Sequence, residues 1–275
     1  MKYLFAIFGD PVAHSRSPLM HNSVFKNLNY PACYTRVHLT NGSKLRETFF
    51  ALGLSGANIT VPHKEEAFKA CDEVRGFAKN IGVVNTIVNE NGRLIGYNTD
   101  ADGFMEAIKE FGHPKSTSSL PLTAHVETVL IIGAGGTAKA LANRFIQDDV
   151  KVTVLNRSKN KLDYFKEIST CHDWEDFKVS KYDLVVNTTS AGLKDEELPA
   201  PQNIIEDILN NTSFVADAIY GKKTPFLKLA CAKNLTYKDG ADMLLGQGIL
   251  ANALFTNGNL ALKDIKFHMQ KSFEL

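Results

Sequence analysis

Short apolar runs recur along the chain, and many of them end at glycine or at small polar residues. Residues 129–132 form one such run, and an uninterrupted apolar run is typical of a strand in a parallel sheet covered on both faces. After Gly136 the apolar spacing becomes helical, with Ala140, Leu141 and Phe145 on one side. Alternating strands and helices favour an α/β fold. Further strands are predicted at residues 3–8, 34–39, 81–88, 93–97, 151–155, 182–186, 214–216 and 235–237.

A glycine-rich turn connects the strand at residues 129–132 to the helix after it. Glycines at such a junction let the backbone turn sharply and approach a diphosphate, which then binds the amides of the helix N-terminus. Because a second strand follows the helix, the context predicts a dinucleotide-binding site. The alternative is a tight turn with no ligand. The turn consists of Gly133, Ala134, Gly135, Gly136, Thr137 and Ala138.

The residues after the second strand indicate which dinucleotide binds. An NAD site usually carries Asp or Glu about 20 residues past the glycines, where the carboxylate accepts hydrogen bonds from the ribose 2′-hydroxyl. This chain has Asn156, Arg157, Ser158 and Lys159 there. An acidic group would repel a 2′-phosphate, whereas Arg157 can bind one through two hydrogen bonds. The sequence therefore favours NADP, and an ordinary solvated basic turn is the alternative.

Composition and charge exclude several classes of partner. Hydrophobic residues make up 44% of the 275 positions and charged residues 22%, as in an ordinary soluble globular protein. The 31 Lys and Arg against 30 Asp and Glu leave a net charge of +1, which favours neither nucleic acid nor an anionic membrane. No apolar run approaches the ~20 residues of a spanning helix, and the N-terminus lacks a secretory pattern. Scattered cysteines predict reduced thiols in the cytoplasm and no metal site: Cys33, Cys71, Cys171 and Cys231.

Polar residues follow successive strands in the first half of the chain. Ligands in open α/β sheets bind beside such strand ends, so we expect a polar ligand there. Ser17 has a second possible role as the N-cap of the helix that Pro18 opens, and spacing alone favours that role. Ser15 has no such role. The residues at these strand ends are Ser15, Ser17, Thr60, Lys64, Asn85 and Asp100.

Ordinary structural roles are also open to the charged residues of this set. Lys64 comes before a helix expected from Glu65, and most lysines at such positions are solvated. The neighbouring His63 is expected to pack or to lie at the surface. Asp100 or Thr99 suits the N-cap of a helix over residues 104–111. Residues 112–127 have loop composition and predict part of a domain junction.

Taken together in chain order, these segments resemble the shikimate dehydrogenase family over nearly the whole length. Single motifs are weak, but their joint presence in this order is specific. The matching segments are Gly9-Asp10-Pro11-Val12, His14-Ser15-Arg16-Ser17-Pro18, Asn58-Ile59-Thr60-Val61-Pro62-His63-Lys64, Gly82-Val83-Val84-Asn85-Thr86, Gly96-Tyr97-Asn98-Thr99-Asp100, the glycine turn, Asn156-Arg157, Asn187-Thr188-Thr189-Ser190-Ala191-Gly192, Asp217-Ala218-Ile219-Tyr220 and Gly240-Ala241-Asp242-Met243-Leu244-Leu245-Gly246-Gln247.

The resemblance implies an oxidoreductase with two α/β domains that reversibly reduces 3-dehydroshikimate to shikimate with NADPH, in chorismate and aromatic amino-acid biosynthesis. It implies a substrate-binding domain at residues 1–103, completed by a C-terminal helical segment at residues 241–275 that packs back on it. Residues 104–240 would form a Rossmann-like NADP-binding domain. The expected partner is a small molecule, with no nucleic acid or membrane, and the protein is expected to be a monomer or homodimer in the cytoplasm.

The resemblance also assigns roles to individual residues. Lys64 and Asp100 would be the catalytic pair, and no metal takes part. His63 departs from the family, in which many relatives have Phe or Leu before the lysine, and it is not expected to change the chemistry. The implied substrate contacts are Ser15, Ser17, Thr60, Asn85, Tyr220 and Gln247. The implied cofactor contacts are Gly133, Ala134, Gly135, Gly136, Thr137, Asn156, Arg157, Thr188, Ala218, Ile219 and Gly240.

Three rivals stay open at this point. A quinate/shikimate dehydrogenase that uses NAD shares the build, but the relatives considered carry an acidic residue soon after the arginine, where this chain has Ser158 and Lys159. A methylenetetrahydrofolate dehydrogenase shares the architecture but fits the paired serines and the Asn98-Thr99-Asp100 segment poorly. A catalytically silent sensor of NADP or shikimate would have no need of Lys64 as a proton donor.

Overall fold

The computed structural model describes residues 2–109 and 126–273. The chain divides into two compact units, the first combining Met1–Gly103 with Leu245–Leu275 and the second comprising Phe104–Leu244. Most of the junction expected at residues 112–127 lies outside the described residues. Across the described ranges, no helix is long and apolar enough to span a membrane.

The helices and strands follow one another in alternation over most of the chain. The first unit begins with β1 (Tyr3–Gly9), α1 (Ser17–Asn27), β2 (Ala32–His38), α2 (Leu45–Ala51), β3 (Gly56–Ile59), α3 (Lys64–Ala70), β4 (Glu73–Val74), α4 (Phe77–Ile81), β5 (Thr86–Glu90) and β6 (Arg93–Tyr97). The chain continues through α5 (Asp100–Lys109), β7 (Thr128–Ile132), α6 (Gly136–Gln147), β8 (Lys151–Leu155), α7 (Asp163–Lys166), β9 (Thr170–His172), β10 (Tyr182–Asn187), α8 (Gln202–Asn210), β11 (Thr212–Asp217), α9 (Pro225–Ala232), β12 (Thr236–Lys238), α10 (Ala241–Phe255) and α11 (Leu262–Lys271).

The sheet of the first unit has the strand order β2-β1-β3-β5-β6-β4. Strands β2, β1 and β3 run parallel, whereas β5 is antiparallel to both β3 and β6. Strands β5 and β6 are joined by a hairpin turn in which Asn91 and Gly92 both have positive φ. The strand predicted over residues 81–88 is wrong in its first half, because α4 ends at Ile81 and Gly82 takes the left-handed conformation that terminates a helix.

Side chains of β1 project alternately into the hydrophobic cores on the two faces of this sheet. Phe5 lies on the face covered by α1 and α10, where its ring stacks on Phe255 with centroids 4.7 Å apart. Phe8 lies on the opposite face and packs in one cluster with Leu45 and Phe49 of α2. The strand is therefore buried on both sides, which places the polar residues after Gly9 at the strand's C-terminal edge.

The C-terminal helix returns to the first unit, so this part of the predicted fold is confirmed. Ser23 on α1 donates a hydrogen bond to the carbonyl of His268 on α11, with the two oxygens 3.1 Å apart. Gly248 on α10 allows close packing against Met20, because a β-carbon there would lie 2.8 Å from the methionine methyl group. Helices α10 and α11 thus complete the layer that begins with α1.

The second unit contains a parallel sheet in the order β12-β11-β10-β7-β8-β9. The chain starts at β7 in the middle of the sheet, adds β8 and β9 on one side and then β10, β11 and β12 on the other. This is the order of a doubly wound dinucleotide-binding fold, in which the direction of strand addition reverses between β7 and β10. Side chains of β7 alternate between two cores, with Val129 and Ile131 on one face and Leu130 and Ile132 on the other. The Rossmann-like fold predicted from residues 129–145 is therefore confirmed.

A histidine is sealed inside the core of the first unit. His21 on α1 is 0% exposed, and its ring stacks on Tyr34 of β2 with centroids 4.4 Å apart and planes within 5°. Its Nδ1 lies 2.9 Å from the side-chain amide nitrogen of Asn252 on α10. Burial lowers the pKa of His21 to about 3, against a smaller opposite contribution from Asn58. The ring is therefore neutral throughout the physiological range.

We expect this histidine to make the fold sensitive to acid. Its pKa lies below the ordinary value of 6.5, so below that pH the unfolded chain takes up a proton that the folded chain does not. The stabilisation is complete above pH ~6.5 and is lost as the pH falls towards ~3. At pH ~5 the loss for this one residue is about 2 kcal/mol.

Urea unfolding at pH 7, 6 and 5 measures this effect. Between pH 7 and 5 the wild-type protein is expected to lose about 2 kcal/mol more unfolding free energy than the His21→Gln variant, whose amide does not titrate. His38→Gln, which changes an exposed histidine, is the matched control and is expected to follow the wild-type slope. Equal slopes for wild type and His21→Gln would contradict the assignment.

Candidate active site and nucleotide-binding turn

Lys64 and Asp100 form an ion pair at the edge of the first unit's sheet. Lys64 is the first residue of α3, which begins one residue earlier than the sequence predicted. Asp100 is the first residue of α5, which begins four residues earlier than predicted. Lys64 Nζ lies 2.5 Å from Asp100 Oδ2, and the two side chains are only 12% and 8% exposed. A shielded ammonium held by a carboxylate can donate a proton to a bound oxyanion, and in the reverse direction the neutral amine can accept one from a hydroxyl.

Asn85 holds the other oxygen of the carboxylate. Its Nδ2 donates to Asp100 Oδ1 at 2.8 Å, while its Oδ1 accepts from the backbone N–H of Thr99 at 2.9 Å. The Asp100 N–H in turn donates to Oδ1 of Asn98. Both carboxylate oxygens therefore accept hydrogen bonds, which is the arrangement that suits an ionised aspartate.

The paired serines lie at the start of α1, and the structure corrects the capping role expected of Ser17. Ser17 is the first helical residue and not the N-cap, which is Arg16. Oγ of Ser15 accepts from the Ser17 N–H at 3.3 Å, which holds the turn that leads into the helix. The Arg36 guanidinium donates two hydrogen bonds to the Ser15 carbonyl, which fixes this turn.

Gln247 and Thr60 are positioned by contacts with glycine. A β-carbon on Gly103 would lie 2.4 Å from the Gln247 backbone nitrogen, so α5 and α10 approach each other closely at this point. Gly103 is one helical turn beyond Asp100, which brings Gln247 into the neighbourhood of the carboxylate. Thr60 directly follows β3, and a β-carbon on Gly9 would lie 2.3 Å from its methyl group.

His63 packs inside the first unit, as one of its two expected roles required. It is 3% exposed, and Nε2 makes a short hydrogen-bond contact with the Leu39 carbonyl. A β-carbon on Gly42 would lie 2.7 Å from its Nδ1. The ring thus packs between the 3₁₀ turn Gly42–Lys44 and the first turn of α3.

The glycine turn of the second unit lies at the point where the strand order reverses. Gly133 has φ +112°, and a β-carbon there would lie 2.6 Å from Oγ1 of Thr188 at the end of β10. Thr188 in turn donates from both its backbone N–H and its hydroxyl to the Ile132 carbonyl. Gly135 precedes α6, and no atom lies within 4 Å of a β-carbon built there. The turn is thus closed towards β10 and open at Gly135, as a diphosphate on a helix N-terminus requires.

The two basic residues after β8 have different surroundings. Lys159 lies 2.8 Å from Asp173 and 3.1 Å from Glu175, so its charge is already balanced within the protein. The Arg157 guanidinium is exposed and makes no ion pair with any residue that the structure describes. Arg157 is therefore the cation at this strand end with charge to offer an anionic group, and Asn156 beside it donates its side-chain N–H to the Ser158 carbonyl.

A buried aspartate connects the other strand ends of the second unit. Asp217 accepts from the Asn187 amide, the Thr224 hydroxyl and the Ile219 N–H at 3.1, 2.7 and 3.0 Å. Burial raises the pKa of Asp217, against these three hydrogen bonds. No role was expected for Asp217, although the segment Asp217-Ala218-Ile219-Tyr220 is part of the family resemblance.

The loop after β11 carries three of the sequence-predicted residues, Ala218, Ile219 and Tyr220. Gly240 supports this loop, because a β-carbon there would lie 2.2 Å from the Ala218 carbonyl oxygen and its N–H donates to the Ile219 carbonyl. Tyr220 thus belongs to the second unit, unlike the other expected substrate contacts. Within the described parts of the chain, no group of three His, Cys, Asp or Glu side chains could hold a metal ion.

Comparison with known proteins gives a consistent result for both units. Residues 7–87 match the family model of the shikimate dehydrogenase substrate-binding domain, and residues 116–194 match that of shikimate/quinate 5-dehydrogenase. A shikimate dehydrogenase (NADP(+)) from Helicobacter hepaticus is 42% identical over 97% of this chain and 98% of its own. Shikimate dehydrogenase 1 from Peptoclostridium difficile superposes with a TM-score of 0.82, at 28% identity and 99% and 98% coverage of this chain and its own.

A further solved structure extends the comparison to a complex. Shikimate 5-dehydrogenase from Thermus thermophilus, determined with NADP(H) and shikimate, has a TM-score of 0.79 and 31% identity over 98% of this chain and 99% of its own. Sequence identity of this extent over both units confirms the resemblance drawn from the motifs. The chain belongs to the shikimate dehydrogenase family.

Proposed function

We propose that the protein catalyses the reversible NADPH-dependent reduction of 3-dehydroshikimate to shikimate in the biosynthesis of chorismate and the aromatic amino acids. The Lys64–Asp100 pair carries this proposal, because ketone reduction needs a proton donor at the carbonyl oxygen and this pair is a shielded, oriented ammonium. The family membership and the names of the relatives support the same substrate and cofactor.

The proposed mechanism divides the work between cofactor and protein. NADPH, when bound, supplies the hydride. The Lys64 ammonium polarises the substrate carbonyl and donates a proton to the oxygen as it becomes an alcohol. Asp100 keeps the ammonium in place and accepts a hydrogen bond from the neighbouring substrate hydroxyl, and Asn85 holds Asp100 from its other oxygen.

Substrate binding falls to polar side chains that suit a polyol carboxylate. The serine hydroxyls and the Thr60 hydroxyl would bind the carboxylate and hydroxyls, together with the Asn85 and Gln247 amides and the Tyr220 phenol. Such a site discriminates against analogues that lack a hydroxyl, because the protein's own polar groups would then be buried without a partner. The proposed substrate contacts are Ser15, Ser17, Thr60, Asn85, Tyr220 and Gln247.

Cofactor binding falls to the second unit. The open space at Gly135 accommodates the diphosphate at the N-terminus of α6, and Arg157 binds the 2′-phosphate of NADP. We therefore assign substrate binding to residues 1–103 with 241–275 and NADP binding to residues 104–240, in a cytoplasmic monomer or homodimer. The proposed cofactor contacts are Gly133, Ala134, Gly135, Gly136, Thr137, Asn156, Arg157, Thr188, Ala218, Ile219 and Gly240.

The proposal is tested by following NADPH formation at 340 nm, where reduced nicotinamide absorbs, with shikimate and NADP. Parallel rates with quinate and with NAD distinguish the NAD-linked relative. Faster turnover with quinate and NAD would contradict the proposal, as would binding of shikimate and NADP without any NADPH formation.

We expect Lys64→Ala to lower kcat by about 10²–10⁴-fold with a much smaller change in the KM for shikimate, because positioned proton transfer contributes on that scale. Steady-state rates at 340 nm give both constants. Lys69→Ala, on the same helix but exposed, is the matched control and is expected to keep wild-type rates. A large rise in KM with kcat intact would assign Lys64 to binding only.

We expect Arg157→Ala to raise the KM for NADP at least about tenfold while leaving any residual NAD activity unchanged, because only NADP carries the 2′-phosphate that the guanidinium binds. Initial rates with each cofactor measure the ratio. Lys151→Ala removes a cation from the opposite end of β8 and serves as the control. Equal losses with both cofactors would rule out recognition of the phosphate by Arg157.

Gly135 and Gly133 offer a contrasting pair of substitutions. We expect Gly135→Ala to cost no more than about 1 kcal/mol of stability, because φ is −87° and the β-carbon meets no atom, yet to weaken NADP binding by filling the diphosphate space. Gly133→Ala is expected to destabilise the fold itself, since its φ is +112° and Thr188 blocks the β-carbon.

Thermal unfolding and fluorescence titration with NADPH separate the two effects. Gly133→Ala should lower Tm, whereas Gly135→Ala should keep Tm within a few degrees of wild type and raise the Kd at least about tenfold. Wild-type affinity in Gly135→Ala would place the diphosphate elsewhere.

A further inference from the structure

A continuous line of hydrogen-bonded side chains crosses the first unit's sheet and ends at the catalytic carboxylate. The Tyr34 hydroxyl donates to Oδ1 of Asn58 at 2.7 Å, and Nδ2 of Asn58 donates to Oγ1 of Thr86 at 3.1 Å. Oγ1 of Thr86 donates to Oδ1 of Asn85 at 2.9 Å. Nδ2 of Asn85 then donates to Asp100. We call Tyr34, Asn58, Thr86 and Asn85 the polar line.

The strand pairing places these residues side by side. Asn58 on β3 is the register partner of Thr86 on β5, so the two side chains project from adjacent strands on the same face. Tyr34 is 2% exposed, Asn58 4%, Thr86 0% and Asn85 2%. Water therefore does not satisfy their polar atoms, which depend on hydrogen-bond partners inside the protein.

The donor and the acceptor of each hydrogen bond can be deduced by starting from a group that can only donate or only accept. The Thr99 N–H can only donate, so the amide atom of Asn85 that faces it is the oxygen, and the nitrogen faces Asp100. An amide oxygen can only accept, so the Thr86 hydroxyl spends its single proton on Asn85.

The remaining steps are then determined in the same way. Because the Thr86 oxygen has no proton left to give, Asn58 must present its nitrogen to Thr86 and its oxygen to Tyr34. Burial raises the pKa of Tyr34 well above its ordinary value, so the phenol keeps its proton and remains a donor. Every hydrogen bond of the line consequently points the same way, towards Asp100.

We infer that Thr86 is a positioning residue for the proton-transfer pair: its hydroxyl locks the Asn85 amide so that a donor always faces Asp100. Both oxygens of the carboxylate then serve as acceptors, one for Asn85 and one for Lys64, and the transferable proton stays on Lys64. This inference rests on the proposed function only for its catalytic consequence. The orientation of the Asn85 amide is a property of the protein without substrate.

Thr86→Val removes the hydroxyl at nearly constant shape, and Thr86→Ser restores it. We expect Thr86→Val to lower kcat for shikimate oxidation about tenfold with little change in the KM for NADP, because the Asn85 amide loses one of its anchors. Thr86→Ser should stay within about twofold of wild type in kcat.

Thr256→Val is the matched control. Thr256 is also 0% exposed and also on the first unit, but its hydroxyl donates to the Asn252 carbonyl and lies outside the polar line. Loss of a buried hydroxyl alone would lower stability in both valine variants. Only Thr86→Val is expected to change kcat.

A second readout does not depend on the reaction. In nitrogen-15 spectra of the protein without substrate, the side-chain NH₂ of Asn85 should be protected from solvent exchange in wild type and Thr86→Ser and lose that protection in Thr86→Val. If wild type fails to oxidise shikimate while this pattern holds, the proposed function fails and the positioning role of Thr86 stands. Wild-type kcat together with wild-type protection of the Asn85 NH₂ in Thr86→Val would overturn the inference.

Should Thr86→Val fail to fold, Tyr34→Phe tests the line from its far end. It keeps the ring that stacks on His21 and removes only the donor to Asn58. We expect a change of the same kind but smaller, about threefold in kcat. A Tyr34→Phe enzyme with wild-type kcat would contradict transmission along the line.

Discussion

The first unit depends on keeping a lysine and an aspartate charged while both are largely withdrawn from water. Removing two charges from water costs several kcal/mol each, and their attraction offsets this only when the remaining polar atoms are also satisfied. The surroundings of Lys64 and Asp100 meet that condition, because Asn85 binds the second carboxylate oxygen and Asn98 binds the backbone N–H of Asp100. Much of the unusual polarity inside this sheet follows from that requirement.

Features of the fold that depend on residues close together in the sequence were predictable, whereas features that depend on distant residues were not. The strand–turn–helix at residues 129–145 was predicted because the apolar run, the glycines and the helical spacing are all local. The first half of the strand expected over residues 81–88 was wrong because a short apolar run has the same appearance in a buried helix and in a strand, and Gly82 decided the outcome. The capping role expected of Ser17 was wrong because α1 begins at Ser17 itself, which makes Arg16 the N-cap.

The polar line could not be predicted, because the register of neighbouring strands decides which of its residues form hydrogen bonds with each other. Asn58 and Thr86 are distant in sequence and meet only once β3 and β5 are aligned, and Tyr34 reaches Asn58 across the intervening β1. The same holds for Asp217, whose three donors come from β10, the loop after β11 and the turn before α9. In both cases the residue types gave a hint, since polar side chains stood inside or directly after apolar strands, but their partners were set by the tertiary fold.

The close approach of α5 and α10 has a consequence for engineering the stability of this enzyme. Gly103 and Gly246 both lie within helices, where replacing glycine with alanine ordinarily gains about 1 kcal/mol of helix propensity. Here a methyl group on either residue would meet the backbone of the other helix, at 2.4 Å from the Gln247 nitrogen or 2.7 Å from the Gly103 oxygen. Alanine at either position would therefore separate the two helices and displace Gln247 instead of strengthening the fold, so thermostable variants must be sought at other positions.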